Sequence, residues 1–258
     1  MPFKCAGIIP ARWGSSRFPG KPLHPIAGQP LLRHVWERCT RAQKLDAVIV
    51  ATDDMRIAEA AFAWGAEVAL TSVKLRSGTD RVAAVVATTR EFSHVINIQG
   101  DEPLLDPKLI DRLVRELRND CRLEMITAAS PFESIAEIES PHQVKVVVDA
   151  NGAALYFSRS PIPFIRDVSG SVPRLRHHGI YGYTRELLLR FVHWKPSPLE
   201  RAEALEQLRA LENGVRIRVV ETGGGSPGVD TPADAETVER QLASELRTTR
   251  FRKRPRTQ

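Results

Sequence analysis

Hydrophobic positions along this chain fall into short continuous runs separated by stretches with helical spacing. Phe3 to Ile9 is a mainly apolar run that predicts a strand, and Leu31-Leu32-x-x-Val35-Trp36 then sets apolar residues on one helical face. Ala47 to Ala51 is continuously apolar, as expected of a strand covered on both faces of a parallel sheet. The spacing predicts a helix over 57–64 ended by Gly65, a strand over 67–71 and a helix over 79–88. A strand over 95–98 follows, and then a helix over 109–117 introduced by Pro107. This repetition predicts right-handed strand–helix–strand units in an open, mostly parallel α/β sheet with helices on both faces. Such sheets bind ligands beyond the carboxyl ends of their strands. The loop after Ile9, Asp53 and Asp101 therefore share one edge.

Beyond residue 124 the pattern changes. Val144 to Asp149 and Ala154 to Ser158 flank Asn151-Gly152, a hairpin signal, so an antiparallel insertion is expected over about 124–200. Ser160 to Arg176 has no periodicity and reads as a loop, and Ile180 to Tyr183 reads as a strand. Helices are expected over 186–192 and, as one amphipathic unit stopped by Gly214, over 199–211. A strand over 216–221, a flexible Gly223–Gly228 loop and a last helix from Pro232 to about Leu246 complete the pattern. No repeat or linker interrupts residues 1–246, which read as a single domain followed by a disordered basic tail over 247–258.

Composition narrows the function. A chain of 258 residues that is 42% hydrophobic can bury one large core. The formal net charge of +6 is carried entirely by Arg247 to Gln258, which holds six cations and no acid. The body is therefore neutral, and a nucleic-acid-binding face is not expected. Cys5, Cys39 and Cys121 are odd in number and lack C-x-x-C spacing, which predicts a reducing compartment and no structural zinc. No apolar run approaches the ~20 residues of a membrane span. No signal-peptide core precedes Pro10, so a cytoplasmic protein is expected.

Candidate chemistry begins in the loop from Pro10 to Leu23. Arg12, Arg17 and Lys21 lie there among small residues, with Gly14 and Gly20 letting the backbone bend close to a ligand. Pro22 after Lys21 excludes the G-x-x-x-x-G-K-[ST] loop, and no G-x-G-x-x-G is present. Converging cations on a strand-end turn suit phosphates. A triphosphate would bring Mg²⁺, which favours one or two carboxylates together with phosphate oxygens. Asp101, directly after an apolar strand and Gly100, and Asp230, before Thr231-Pro232, are the candidate donors. Each also has a plain structural reading, as turn residue or helix cap.

Seven motifs then occur in order: Pro10-Ala11-Arg12-x-x-Ser15-Ser16-Arg17-x-Pro19-Gly20-Lys21-Pro22-Leu23, Ser77-Gly78-Thr79-x-Arg81, Gln99-Gly100-Asp101-Glu102-Pro103, Tyr156-Phe157-Ser158-Arg159, His178-Gly179-Ile180-Tyr181-Gly182-Tyr183, Gln207-Leu208-Arg209 and Gly228-Val229-Asp230-Thr231-Pro232. From about Phe3 to Leu246 the chain resembles the 3-deoxy-manno-octulosonate (KDO) cytidylyltransferase family. That resemblance implies a nucleotide-diphospho-sugar-transferase-like fold, Mg²⁺ dependence, a homodimer, and conversion of CTP and KDO to CMP-KDO and pyrophosphate for lipopolysaccharide synthesis. It implies nucleotide contacts from Ala11, Arg12, Ser15, Arg17, Lys21, Ser77, Gly78 and Gln99. Sugar contacts are implied for Arg81, Gln99, Arg159, His177, Tyr181, Glu206 and Gln207, and metal binding for Asp101 and Asp230. Arg12, Arg17, Lys21, Asp101 and Asp230 form the implied catalytic set. Arg159 suits an acidic sugar, because one guanidinium can grip two carboxylate oxygens.

Three positions depart from the family pattern. His178 stands where an apolar residue is more usual, Ala233 replaces an acid after Thr231-Pro232, and the loop from Asp167 to Pro173 is short. The general base stays open between an acid of the metal site and the metal itself. Rival readings are a cytidylyltransferase for 8-amino KDO or a sialic acid, a nucleotide-binding protein without catalysis, and an RNA- or membrane-binding module using the tail.

Overall fold

A computed structural model describes residues 2–14, 18–166 and 172–252. In chain order the elements are β1 (Cys5–Ala11), a 3-10 turn (Lys21–Leu23), β2 (Pro25–Ile26), β3 (Gln29–Pro30), α1 (Leu31–Cys39), β4 (Ala47–Thr52), α2 (Met55–Ala63), β5 (Glu67–Leu70), α3 (Gly78–Thr88) and β6 (His94–Asn97). Then follow α4 (Pro107–Asn119), β7 (Met125–Pro131), α5 (Ile135–Glu139), β8 (Lys145–Val148), β9 (Ala154–Ser158), β10 (Leu175–Thr184), α6 (Arg185–Phe191), α7 (Pro198–Glu203), α8 (Gln207–Glu212), β11 (Ile217–Glu221) and α9 (Pro232–Arg252).

The main sheet has the order β11-β7-β10-β6-β1-β4-β5. β5, β4, β1 and β6 are parallel, whereas β10 runs antiparallel to both β6 and β7. Residues of β1 alternate between two cores, Ala6 and Ile8 on one face and Cys5 and Ile9 on the other. One face packs α3, α6 and α8, and the other packs α1, α2 and α4. The expected mostly parallel sheet with helices on both faces is therefore present.

β1 runs through Pro10 to Ala11, beyond the expected end at Ile9. The Ile8 carbonyl accepts from the Ile98 N–H, so strand alternation turns Pro10 to that same side, where pairing with β6 has already ended at Asn97. A missing N–H costs nothing there. The residue 124–200 stretch is only partly an insertion. β7 and β10 belong to the main sheet, and only α5 and the β8–β9 hairpin, hung from β10, are appended. β7 escapes sequence patterning because Met-Ile-Thr-Ala-Ala-Ser-Pro is rich in small residues, yet pairing on both sides holds it in the sheet.

The single helix expected over 199–211 is two helices. Ala204 adopts φ 52° and ends α7, so α8 restarts at Gln207. The last helix continues past Leu246 to Arg252, since no Gly or Pro interrupts it before Pro255. Residues 253–258 of the basic tail lie outside the described residues. Near the start of α9, Ala235, Val238 and Leu242 pack with Phe18, Ile26 and Leu31, which carries Asp230 to the loop after β1.

Candidate active site

The segments that follow β1, β5 and β6 enclose a cavity of about 260 Å³ lined by Ala11, Arg12, Lys21, Ser77, Gly78, Arg81, Gln99, Asp101 and Asp230. Ser15 and Arg17 lie outside the described residues. Ser77 caps α3 by accepting a 3.1 Å hydrogen bond from the Asp80 N–H, so the first turn of that helix faces the cavity. Gly20 adopts φ 72° beneath the Trp13 ring, where a Cβ would approach within 3.1 Å. Trp13 in turn stacks under the Arg56 guanidinium at 3.5 Å, and Arg56 is hooked to Asp54 at 2.6 Å. The loop after β1 is thereby fastened to the β4–α2 turn.

Lys21 follows Gly20 and reaches inward. Its Nζ lies 2.6 Å from Asp101 Oδ2 and 3.3 Å from Asp230 Oδ1. The Val229 N–H also donates to the Asp101 carbonyl at 2.9 Å, pinning the two segments together. Gly100 is required beside this junction, because a Cβ there would stand 3.0 Å from the Pro10 carbonyl oxygen. The two distant aspartates thus meet at one cation.

Arg81 lines this first cavity and not the adjoining one, although the resemblance implied a sugar contact. It is 3% exposed and held back toward the ends of β4 and β5 by Asp53, at 2.8 Å, and by the Thr71 hydroxyl.

A second cavity of about 490 Å³ shares Gln99, Asp101 and Asp230 with the first. Arg159, His177, Tyr181, Glu206 and Gln207 all line it, as do Asn97, Glu102, Arg176 and His178. Gln99 is set by its amide, which donates to the Gly179 carbonyl at 2.9 Å. Both imidazoles line the cavity, and a bulge in β10 follows them between His178 and Tyr181. His177 shares a 3.0 Å hydrogen bond with Thr127, and His178 one of 3.0 Å with Ser130. Burial pushes the His177 pKa down to about 3, helped by His178. It pushes that of His178 down to about 4, helped by Arg176, so both rings are neutral at pH 7. Tyr181 is likewise kept protonated by burial, with Tyr183 and Glu206 adding to the effect.

The break at Ala204 turns Glu206 and Gln207 toward this cavity. Glu206 accepts from the Thr79 hydroxyl at 2.7 Å. Among the described residues Gln207 Nε2 and Asn97 Oδ1 are buried without protein partners, which marks the wall as one that polar ligands complete. Lys145 is fully buried and donates to the carbonyls of Ser140 and Arg159, each at 2.7 Å. Arg159 itself donates to the carbonyls of Glu203, Pro141 and Ala204. Glu102, between this cavity and a third of about 310 Å³ beneath Gly223–Gly225, has its carboxyl pushed up to about 8 by burial. Asp101 adds to that rise and Arg176 opposes it.

Sequence reasoning did not single out Asn97, Glu102 or Arg176 as site residues. The acid following Asp101 was the one available signal for Glu102. Arg176 ends a stretch without periodicity and gave none.

Among the described residues no cluster of three or more His, Cys, Asp or Glu could hold a metal unaided. Two carboxylates already gathered about one positive charge nevertheless fit a hard cation that takes its other ligands from phosphate and water.

A parallel sheet reversed by one antiparallel strand, with adjoining cavities at its strand ends, defines a nucleotidyltransferase-like α/β protein. The cytidylyltransferase family model matches residues 6–217. The 3-deoxy-manno-octulosonate cytidylyltransferase of Solibacter usitatus is 51% identical over 246 residues, 95% of this chain and 97% of its own. That of Geobacter metallireducens is 48% identical over 250 residues, 93% of this chain and 98% of its own. A structure of CMP:2-keto-3-deoxy-manno-octonic acid synthetase complexed with CTP superposes with TM-score 0.90 at 43% identity, covering 94% of this chain and 99% of that one. The chain belongs to the 3-deoxy-manno-octulosonate cytidylyltransferase family.

Proposed function

We propose that this protein transfers the cytidylyl group of CTP to 3-deoxy-manno-octulosonate, releasing pyrophosphate and supplying CMP-KDO for lipopolysaccharide synthesis in the cytoplasm. The observation that carries the reading is the pair of cavities joined at Gln99, Asp101 and Asp230. The first offers cations and a helix start to a triphosphate. The second offers a guanidinium, neutral imidazoles and unpartnered amides to a polyhydroxylated acid. Their junction is where the anomeric hydroxyl would meet the α-phosphorus.

In this reading the reaction depends mainly on positioning and charge. Arg12 and Lys21 neutralise the triphosphate, and Lys21 stays beside the departing pyrophosphate. Asp101 and Asp230 would hold Mg²⁺, which when bound neutralises charge building on phosphate oxygens. Gln99, fixed by Gly179, separates the nucleotide from the sugar. We also propose a homodimer, supported by exposed apolar side chains on or near the appended hairpin: Ile135, Leu155, Phe164 and Val172. Sedimentation equilibrium tests it, and a monomer at micromolar concentration would exclude it.

Pyrophosphate release from CTP, UTP and ATP with KDO, 8-amino KDO and a sialic acid tests the reaction. Turnover confined to CTP with KDO is expected. Asp101→Ala should stay folded by circular dichroism while turnover falls by ~100-fold or more, since a charge-stabilising element of this kind contributes several kcal/mol. Near-normal turnover would remove Asp101 from the reaction.

A further inference from the structure

We infer that Arg176, and not Arg159, is the residue that grips the carboxylate of the sugar acid. The assignment rests on the second cavity being the sugar site. Both guanidiniums line that cavity. A carboxylate is best held by two parallel N–H groups from one guanidinium, so what matters is how many of those groups are already engaged.

Three of the five N–H groups of Arg159 are already engaged, one on each nitrogen. Its Nε donates to the Glu203 carbonyl at 2.7 Å, Nη1 to Pro141 at 2.9 Å and Nη2 to Ala204 at 3.4 Å. The Glu203 carboxylate accepts from the Arg159 backbone N–H at 2.8 Å and from the Ser158 hydroxyl at 2.6 Å, which fixes the backbone that carries the guanidinium. Turning this guanidinium to a ligand would orphan carbonyls that fix the Ala204 break. Arg159 therefore builds the wall and acts as a positioning residue.

Arg176 differs in each respect. Its only ion pair among the described residues is with Glu137 at 3.9 Å, beyond hydrogen-bonding distance. Its side chain is 25% exposed, so it reaches the cavity without being fully solvated. Its backbone is fixed by pairing with Ser130 on one side and Lys145 on the other. The adjacent His177 and His178 are neutral, and Lys145 is spent on carbonyls. Among the described residues an incoming carboxylate thus meets Arg176 with all five N–H donors unengaged, against two in Arg159. A neutral sugar would leave that guanidinium half-buried and unpaired, so Arg176 also selects for the acid.

The test is steady-state pyrophosphate release by wild type, Arg176→Gln, Arg176→Lys and Arg159→Gln. Each is assayed with KDO and with its C1 carboxamide, alongside CTP binding and circular dichroism. For Arg176→Gln we expect the sugar KM to rise by on the order of 100-fold, the CTP KM to stay within about twofold, and the preference for acid over amide to vanish. Arg176→Lys, which keeps the charge and loses the fork, should fall between and covers a Gln variant that does not fold. Arg159→Gln should keep the acid preference. An undiminished preference in folded Arg176→Gln or Arg176→Lys, or its loss in Arg159→Gln alone, overturns the assignment. Wild-type protein that binds CTP but releases no pyrophosphate with KDO sinks the functional reading and this assignment with it.

Discussion

At the scale of single residues, His178 shows how burial sets chemistry. The ring is 6% exposed and packed under Gly225, where a Cβ would fall 2.0 Å from Cε1. On the Gly225 side no room remains for water to solvate a charged imidazole. Its pKa drops from 6.5 to about 4, so between those values the unfolded chain binds a proton that the folded chain refuses. Stability from this group is complete above pH 6.5 and is lost as pH falls toward 4. At pH 5 the loss is about 2 kcal/mol, at ~1.36 kcal/mol per pH unit. Urea unfolding at pH 7 and pH 5 checks it: His178→Asn should shrink the pH-dependent loss by that amount, and equal losses would refute it. The substitution at 178 was legible in the sequence, but the glycine that accommodates it was not, because the two positions meet only across the fold. Lys21, Asp101 and Asp230 were legible for the opposite reason. Each stands at a strand end or helix start whose place on the sheet edge follows from local pattern. Arg159 and Arg176 could not be told apart by pattern, since carbonyls from two distant segments, Pro141 and Glu203–Ala204, decide which one is engaged.

At the scale of elements, the break between α7 and α8 matters most. Amphipathic spacing over 199–211 is compatible with one helix, and nothing in Ala204 itself announces a left-handed residue. The break is imposed from outside, by Arg159 donating to the carbonyls of Glu203 and Ala204. Its consequence is that Glu206 and Gln207 line the second cavity. Ala204→Gly should therefore stabilise the fold by ~0.5–1 kcal/mol, relieving the φ strain less the extra freedom of the unfolded chain. The urea midpoint should rise with an unchanged slope, and the sugar KM should move less than about twofold. Ala204→Val should do the reverse, since a β-branched residue tolerates this conformation poorly. A destabilised Gly variant would show that the break is held by something other than those carbonyl contacts. β7 teaches a related lesson, for its small residues become a strand through pairing on both sides and not through their own preference.

At the scale of the whole molecule, the parallel half of the sheet was readable because continuous apolar strands alternate with amphipathic helices, whereas the central reversed strand was readable only in part. Charge is distributed as unevenly as secondary structure. The formal +6 resides in Arg247–Gln258, while α9 makes its core contacts through Ala235, Val238 and Leu242. Those contacts precede the cationic stretch, so the helix can anchor Asp230 without it. Deleting residues 247–258 should leave turnover within about twofold and the melting temperature within ~2 °C, because the deletion spares Ala235, Val238 and Leu242. Retention on an anionic resin should fall sharply, since the remaining body is neutral. A large loss of turnover would place the tail in the reaction, and a large loss of stability would mean that the end of α9 packs on the body.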